Sequence, residues 1–193
     1  MKRYTICILL CVFLFCSCGE DPQPKPYAYF RIALPPVDYN NVDTLGPYIA
    51  DVNVNCITNN ADSHYSTPND KWINISYPAL NATVHLSYKH ISPSDIQTVT
   101  EESRTLVYKH TIRADAIRES YYENSDRHVY CMFYELTGNA ASPTQFFVTD
   151  SATNFLRGSV YFNNIPNYDS VMPCAKYIEN DLVHFVETLK WKN

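Results

Sequence analysis

Four strand-like runs stand in close succession between two amphipathic stretches, and that order leaves few folds open. Ala116–Tyr122, Val129–Thr137, Gln145–Thr149 and Phe155–Phe162 are joined by short polar links. β-Branched and aromatic residues favour the pleated strand, and links this short join antiparallel neighbours. An antiparallel meander is therefore expected. Tyr29–Leu34, Trp72–Tyr77 and Thr83–Tyr88 are further strand-like runs that extend the same sheet. The chain spends sixteen tyrosines and nine phenylalanines but only four glycines. Tyrosine lets one strand face be half apolar while its hydroxyl reaches water or a partner. A sheet-rich domain with few tight turns follows.

The stretches on either side keep helical time. In 93–113, Ile96, Val99, Ser103, Leu106, Val107 and His110 step by three or four, with Ser92 and Pro93 in front as cap and first-turn proline. In 169–190, Val171, Cys174, Ala175, Ile178, Leu182, Phe185, Val186 and Leu189 do the same. An amphipathic helix must bury its stripe, and the sheet is the surface at hand. The expected class is α+β: an antiparallel-rich sheet flanked by two amphipathic helices.

The first residues set the compartment. Lys2 and Arg3 precede an apolar run from Tyr4 to Cys16, broken only by Thr5, and small residues surround Cys18. This is the pattern of a secretory signal peptide ending at a lipidation cysteine. The run is too short for a membrane-spanning helix, which needs about 20 residues. Cys18 is the expected lipidation site, because Ser17 is a small neighbour whereas Phe15 before Cys16 is a poor one. Residues 1–17 are then the signal peptide, 18–26 a lipidated cysteine with a proline-rich tether, and 27–193 one globular domain. The partner implied at this end is a membrane, reached through acyl chains. Gly19 after the cysteine resembles lipoproteins sent on to the outer membrane.

Removing residues 1–17 takes two of fifteen basic groups and no acid, leaving thirteen against twenty, a net charge of −7. No basic tract invites nucleic acid. Cys56, Cys131 and Cys174 remain, an odd number without CxxC spacing, so buried thiols are expected and at most one bridge.

Chemistry concentrates late in the chain. Gln145, Thr149, Asp150, Ser151 and Arg157 crowd among Phe146, Phe147, Phe155 and Leu156 on two consecutive strands and their turn. Strand alternation places Arg157 with Phe155, Ser159 and Tyr161, away from the more apolar face of Leu156, Gly158, Val160 and Phe162. Either Arg157 pairs with Asp150 or Asp169 as a structural brace, or Arg157, Gln145 and Asp150 contact a ligand or partner. Gly158 permits a close approach by a neighbouring backbone. Asp169 or Ser170 is the expected N-cap of the last helix.

Catalytic patterns are absent from the sequence. No GxSxG elbow, HExxH or metal-finger spacing occurs, and no glycine-rich phosphate loop. No catalytic residue, metal ligand or cofactor is expected, and His110 is expected to be a satisfied core histidine. His85 and His90 flank a strand end within possible reach of His110 or Asp115.

The segment GNAASPTQFFVTDSATNFLRGSVYFNNIPNYDS, from Gly138 on, resembles the hallmark of the gliding motility lipoprotein GldD family of Bacteroidetes. PKPYAYFRIALP, WINISYP, VHLSYK, LVYKHTIRADAI and the terminal LVHFVETLKWK fall in the family's order. Asn154 stands where histidine is expected before FLRG, and Cys131 where glycine is expected. The resemblance implies participation in gliding motility and type IX secretion, with protein components of that apparatus as partners and no reaction of its own. The C-terminal strands and helix also look like the PsbP/Mog1 type of α/β sandwich. Two functions are therefore expected as alternatives: a binding or scaffolding envelope lipoprotein facing the periplasm from the outer membrane, or an envelope enzyme or small-ligand carrier using the Asp150/Arg157 cluster.

Overall fold

A computed structural model describes residues 32–61, 69–164 and 167–192. Cys18, the tether and Tyr29–Arg31 lie outside the described residues. Ten strands are found there: β1 (Tyr39–Val42), β2 (Tyr48–Asn53), β3 (Ile57–Asn60), β4 (Lys71–Tyr77), β5 (Ala82–His90), β6 (Ala114–Asn124), β7 (Val129–Gly138), β8 (Thr144–Thr149), β9 (Asn154–Phe162) and β10 (Lys190–Trp191). Two α-helices accompany them, α1 (Ile96–Tyr108) and α2 (Tyr168–Thr188). This is a mixed α+β fold.

Seven strands form one sheet in the order β3-β4-β5-β9-β8-β7-β6, and every adjacent pair is antiparallel. The expected meander is the half that runs β6, β7, β8, β9. Strand β9 then lies against β5, with Leu86 opposite Gly158 and Ser87 opposite Arg157. Gly158 is a packing requirement: a Cβ there would stand 2.2 Å from the Phe146 ring. What approaches closely is therefore a side chain and not a backbone.

Alternation sorts the sheet into two unlike faces. Ile73, Ile75, Val84, Leu86, Val129, Cys131, Phe146, Val148, Leu156 and Val160 pack on one side with Ile178, Leu182, Phe185 and Val186 of α2. A three-stranded sheet, β1-β2-β10, joins that layer through Tyr48, Ala50 and Val52. On the other side Val107 of α1 packs with Tyr134, Leu136, Phe147 and Phe155, and Ile96 and Val99 lie against them.

Several boundaries differ from expectation. Residues 32–34 are not in a strand, and the first two strands are instead β1 and β2. The first helix begins after Asp95, whose carboxylate accepts from the Ser92 hydroxyl and amide, so Ser92 and Pro93 form the approach and not the first turn. It gives way at Lys109–Ile112 to a 3₁₀ turn, which carries His110 off the apolar stripe to a half-buried position, and Leu106 is exposed. The second helix starts earlier than expected, with Asn167 at its N-cap position and no cap from its own side chain. Asn139 Oδ1 accepts the Tyr168 amide at 3.1 Å, so a distant loop serves the role expected of Asp169 or Ser170. It ends at Thr188, because Leu189 turns extended and Lys190–Trp191 pair with β2.

Leu182 and Phe185 are both inside the core. Truncating such a phenylalanine costs about 3–5 kcal/mol. Thermal or denaturant unfolding of Phe185→Ala should show that loss, and a variant as stable as its parent would contradict the packing of α2.

Candidate functional site

The β8–β9 turn is built by one carboxylate. Asp150 Oδ1 accepts the amides of Ala152, Thr153 and Asn154 at 2.8, 2.8 and 2.9 Å, and its Oδ2 accepts Asn154 Nδ2 at 2.6 Å. Thr149 Oγ1 donates to the Asn154 carbonyl at 2.7 Å and accepts the Ser151 amide at 3.0 Å, which holds Ser151 at a φ of 62°. Partial burial raises the Asp150 pKa, but the donated amides outweigh it and hold the group below its ordinary value. Thr149, Asp150 and Ser151 are thus brought together, as one self-satisfied turn.

Gln145 and Arg157 form a second group on the α1 side of the sheet. Arg157 Nη2 donates to Gln145 Oε1 at 2.6 Å. Among the described residues no carboxylate lies within 4 Å of Arg157, so the brace to Asp150 or Asp169 is not what the structure forms. Burial lowers the Arg157 pKa, as it must for a cation without an acid beside it. Gln145 Nε2 and Ser159 Oγ, on residues 0% and 2% exposed, have no hydrogen-bond partner. Gln145 is opposite Ser159, and Ser159 is opposite His85.

The turn and the arginine therefore serve different surfaces. Asn154 shares the α2 side of β9 with Leu156, and its Oδ1 accepts the Tyr88 hydroxyl at 2.6 Å. Both line a cavity of about 820 Å³ at one end of the sheet, together with His90, Asp126, His128 and Asp150. Trp191 at its edge donates from Nε1 to the His128 carbonyl at 3.0 Å. The family histidine expected at position 154 is here an amide, which orients Tyr88 by hydrogen bonding and cannot carry a proton as imidazole does. Among the described residues no three His, Cys, Asp or Glu side chains converge as metal ligands.

One polar cluster escaped sequence reasoning. Asp181, 4% exposed on α2, accepts the Tyr39 hydroxyl at 2.8 Å and Asn53 Nδ2 at 2.9 Å, and the same amide donates to Tyr177 Oη at 2.8 Å. Burial pushes the Asp181 carboxyl up, opposed by these donors. The signal was an acid on the apolar stripe, one turn from Ile178 and Phe185. His184 beside it stacks on Tyr39 and meets Asp51 at 3.2 Å. His110 is no core histidine, and burial and the Arg157 charge lower its pKa. His85 meets neither His110 nor Asp115 but Asn74, at 2.7 Å, and leans on Tyr161. Cys131 and Cys174 are buried free thiols and Cys56 is half-buried and free.

Asp150 and its turn give a measurable pH effect. The depressed folded pKa means a stabilising contribution that is complete above the unfolded value, about 3.9, and fades as pH falls through the folded one. Asp150→Ala should lose about 1.5–3 kcal/mol at neutral pH. Asp150→Asn should destabilise less steeply than its parent as pH drops from about 5 to 2. Parallel melting-temperature profiles of parent and Asp150→Asn would contradict the assigned role.

The family model described as gliding motility lipoprotein GldD matches residues 19–191. No curated protein matches the chain.

Proposed function

The chain belongs to the gliding motility lipoprotein GldD family, and from that premise we propose how it works: as a binding or scaffolding component of the gliding and type IX secretion apparatus, held at the cell envelope by a lipid. It is a cell-envelope lipoprotein of non-catalytic type, linked to that apparatus. The observation that carries this reading is a family match across nearly the whole chain.

The finer features are ours. Cys18 is the acylated residue, residues 18–26 are the tether and 27–193 the domain, a division supported by the signal pattern and by a match that starts at residue 19. The lipid sits in the outer membrane with the domain in the periplasm, supported by Gly19 after the cysteine. The architecture is of the PsbP/Mog1 sandwich type, which a helix on each face of an antiparallel sheet supports. Its partners are protein components of the apparatus. The cavity at the sheet end favours a second reading, a carrier of a small polar ligand.

Capture of the protein from crosslinked envelopes of its native host should recover motility or secretion components. Recovery of none would overturn the scaffolding reading. Separately, Cys18→Ala should abolish acyl labelling and release or mislocalise the domain, since among the described residues no helix is long and apolar enough to cross a membrane. Continued labelling of that variant would contradict the assignment of Cys18.

A further inference from the structure

The carboxylates of this acidic chain are distributed unevenly. Twenty are present, yet none occurs in β4, β5, β8 or β9, the four adjacent strands at the middle and one side of the sheet. Cations do occur there. Arg157 and Lys89 stand on the side that α1 only partly covers, with His85 between β4 and β9. Helix α1 packs at β7 and β8 through Val107, and the opposite half of this face carries Asn74, Thr83, Ser87 and Tyr161 as its polar outer surface.

Within that surface Arg157 is the group out of balance. A guanidinium offers five donors and takes its best partner as a planar carboxylate, bound through two parallel hydrogen bonds. Here it has one neutral amide oxygen, at 2.6 Å. Gln145 spends its oxygen on Arg157, which leaves its Nε2 a buried donor without an acceptor, and Ser159 Oγ across from it is also unpartnered. The Ser159 hydroxyl can itself accept, so what this place lacks among the described residues is an acid for the guanidinium.

We propose that Arg157, positioned by Gln145, is the receptor for a carboxylate on an acidic segment of a partner protein that docks across the face of β4, β5 and β9 that no helix covers among the described residues. The proposal rests on the scaffolding reading for its partner being a protein, and adds the chemistry by which that partner is recognised. Arg157 makes the contact. Gln145 is a positioning residue, holding Nη2 at one edge of the half-buried fork. Lys89, exposed on the same face, supplies a second cation for an acidic run.

Gln145→Glu is the decisive variant, because it supplies from within the acid that the site lacks. The full-length lipidated protein in detergent is titrated calorimetrically with a short capped oligoglutamate peptide, with the matching oligoglutamine peptide and with free glutamate. Oligoglutamate should bind the parent at least about tenfold more tightly than either control. Gln145→Glu should melt no lower than the parent and lose that binding about tenfold or more, its own carboxylate now occupying the guanidinium. Arg157→Lys keeps the charge without the fork and should bind more weakly than the parent. Unchanged peptide binding by Gln145→Glu and Arg157→Lys, or equal binding of oligoglutamine, would overturn the proposal. Free glutamate binding as tightly as the peptide would overturn the choice of a protein segment. The two readings separate in crosslinked envelopes: if Gln145→Glu still captures the parent's motility components, the docking site is wrong and the scaffold stands. If the parent binds oligoglutamate through Arg157 but captures no such component, the site stands and the scaffold falls.

Discussion

A seven-stranded sheet has two faces to cover, and this chain brings two helices to the task. Strands lie about 4.8 Å apart, while a helix with its side chains is about 10–12 Å across. One helix therefore shelters roughly two or three strands. On the α2 side the deficit is met by a second layer, β1-β2-β10, whose Tyr48 touches Tyr88, Phe185 and Trp191. On the α1 side nothing equivalent is found among the described residues. Beyond β8 that face turns polar, and the amphipathic alternation of β4, β5 and β9 is the sequence's accommodation to it. The location of Arg157 is a result of this geometry: it stands where cover from the helix gives out.

Two carboxylates illustrate how burial and donors compete. Asp150 is partly buried and receives three backbone amides, so its charged form is favoured and its stabilising effect is lost toward acid. Asp181 is buried against aromatic rings with phenol and amide donors, and desolvation prevails. Its protonated form is favoured by folding, so the stability it contributes is full below the unfolded carboxylate value and declines as pH rises through the raised one. The two groups act in opposite directions on the acid limb. Asp181 also joins α2 to β1 and β2, and it fixes which way the small sheet rests on the helix.

The helices and the central strands were legible because their apolar periods were strong: Ile178, Leu182 and Phe185 could belong to one helix face, and Val84, Leu86 and Tyr88 to one strand face. Among the missed strands β2 carries such a period, Tyr48, Ala50 and Val52, but over only six residues, and β1 and β3 lack one. β3, Ile57–Asn60, is exposed throughout, and β1 carries Asn40 and Asn41. Strands of this kind are held by the neighbour's hydrogen bonds and not by their own propensity. β10 was hidden inside what resembles a continuing helix, since only pairing with Ile49 and Tyr48 draws Lys190 and Trp191 out straight. At the candidate site, alternation gave the direction of Arg157 correctly and proximity in sequence misled about its partner. A carboxylate at the mouth of a tight turn is surrounded by amides nearer than any side chain down the strand, and Asp150 is satisfied by them.

Tyr39 has a mechanical meaning. Under the anchoring proposed above, tension entering from the N-terminal side would reach the described fold first through residues 36–39, where Asn55 Nδ2 holds the Pro36 carbonyl, the Val54 amide holds that of Asp38, and Tyr39 opens the β1–β2 ladder opposite Asn53. A ladder pulled from one end parts one hydrogen bond at a time and resists weakly. Here its first rung is riveted from the side, by the Tyr39 hydroxyl on Asp181 and its ring on His184. Resistance to forced unfolding is a matter of barrier height and rate, and this rivet passes a pull on β1 to Asp181, beside Leu182 in the main core, instead of leaving it to the ladder alone.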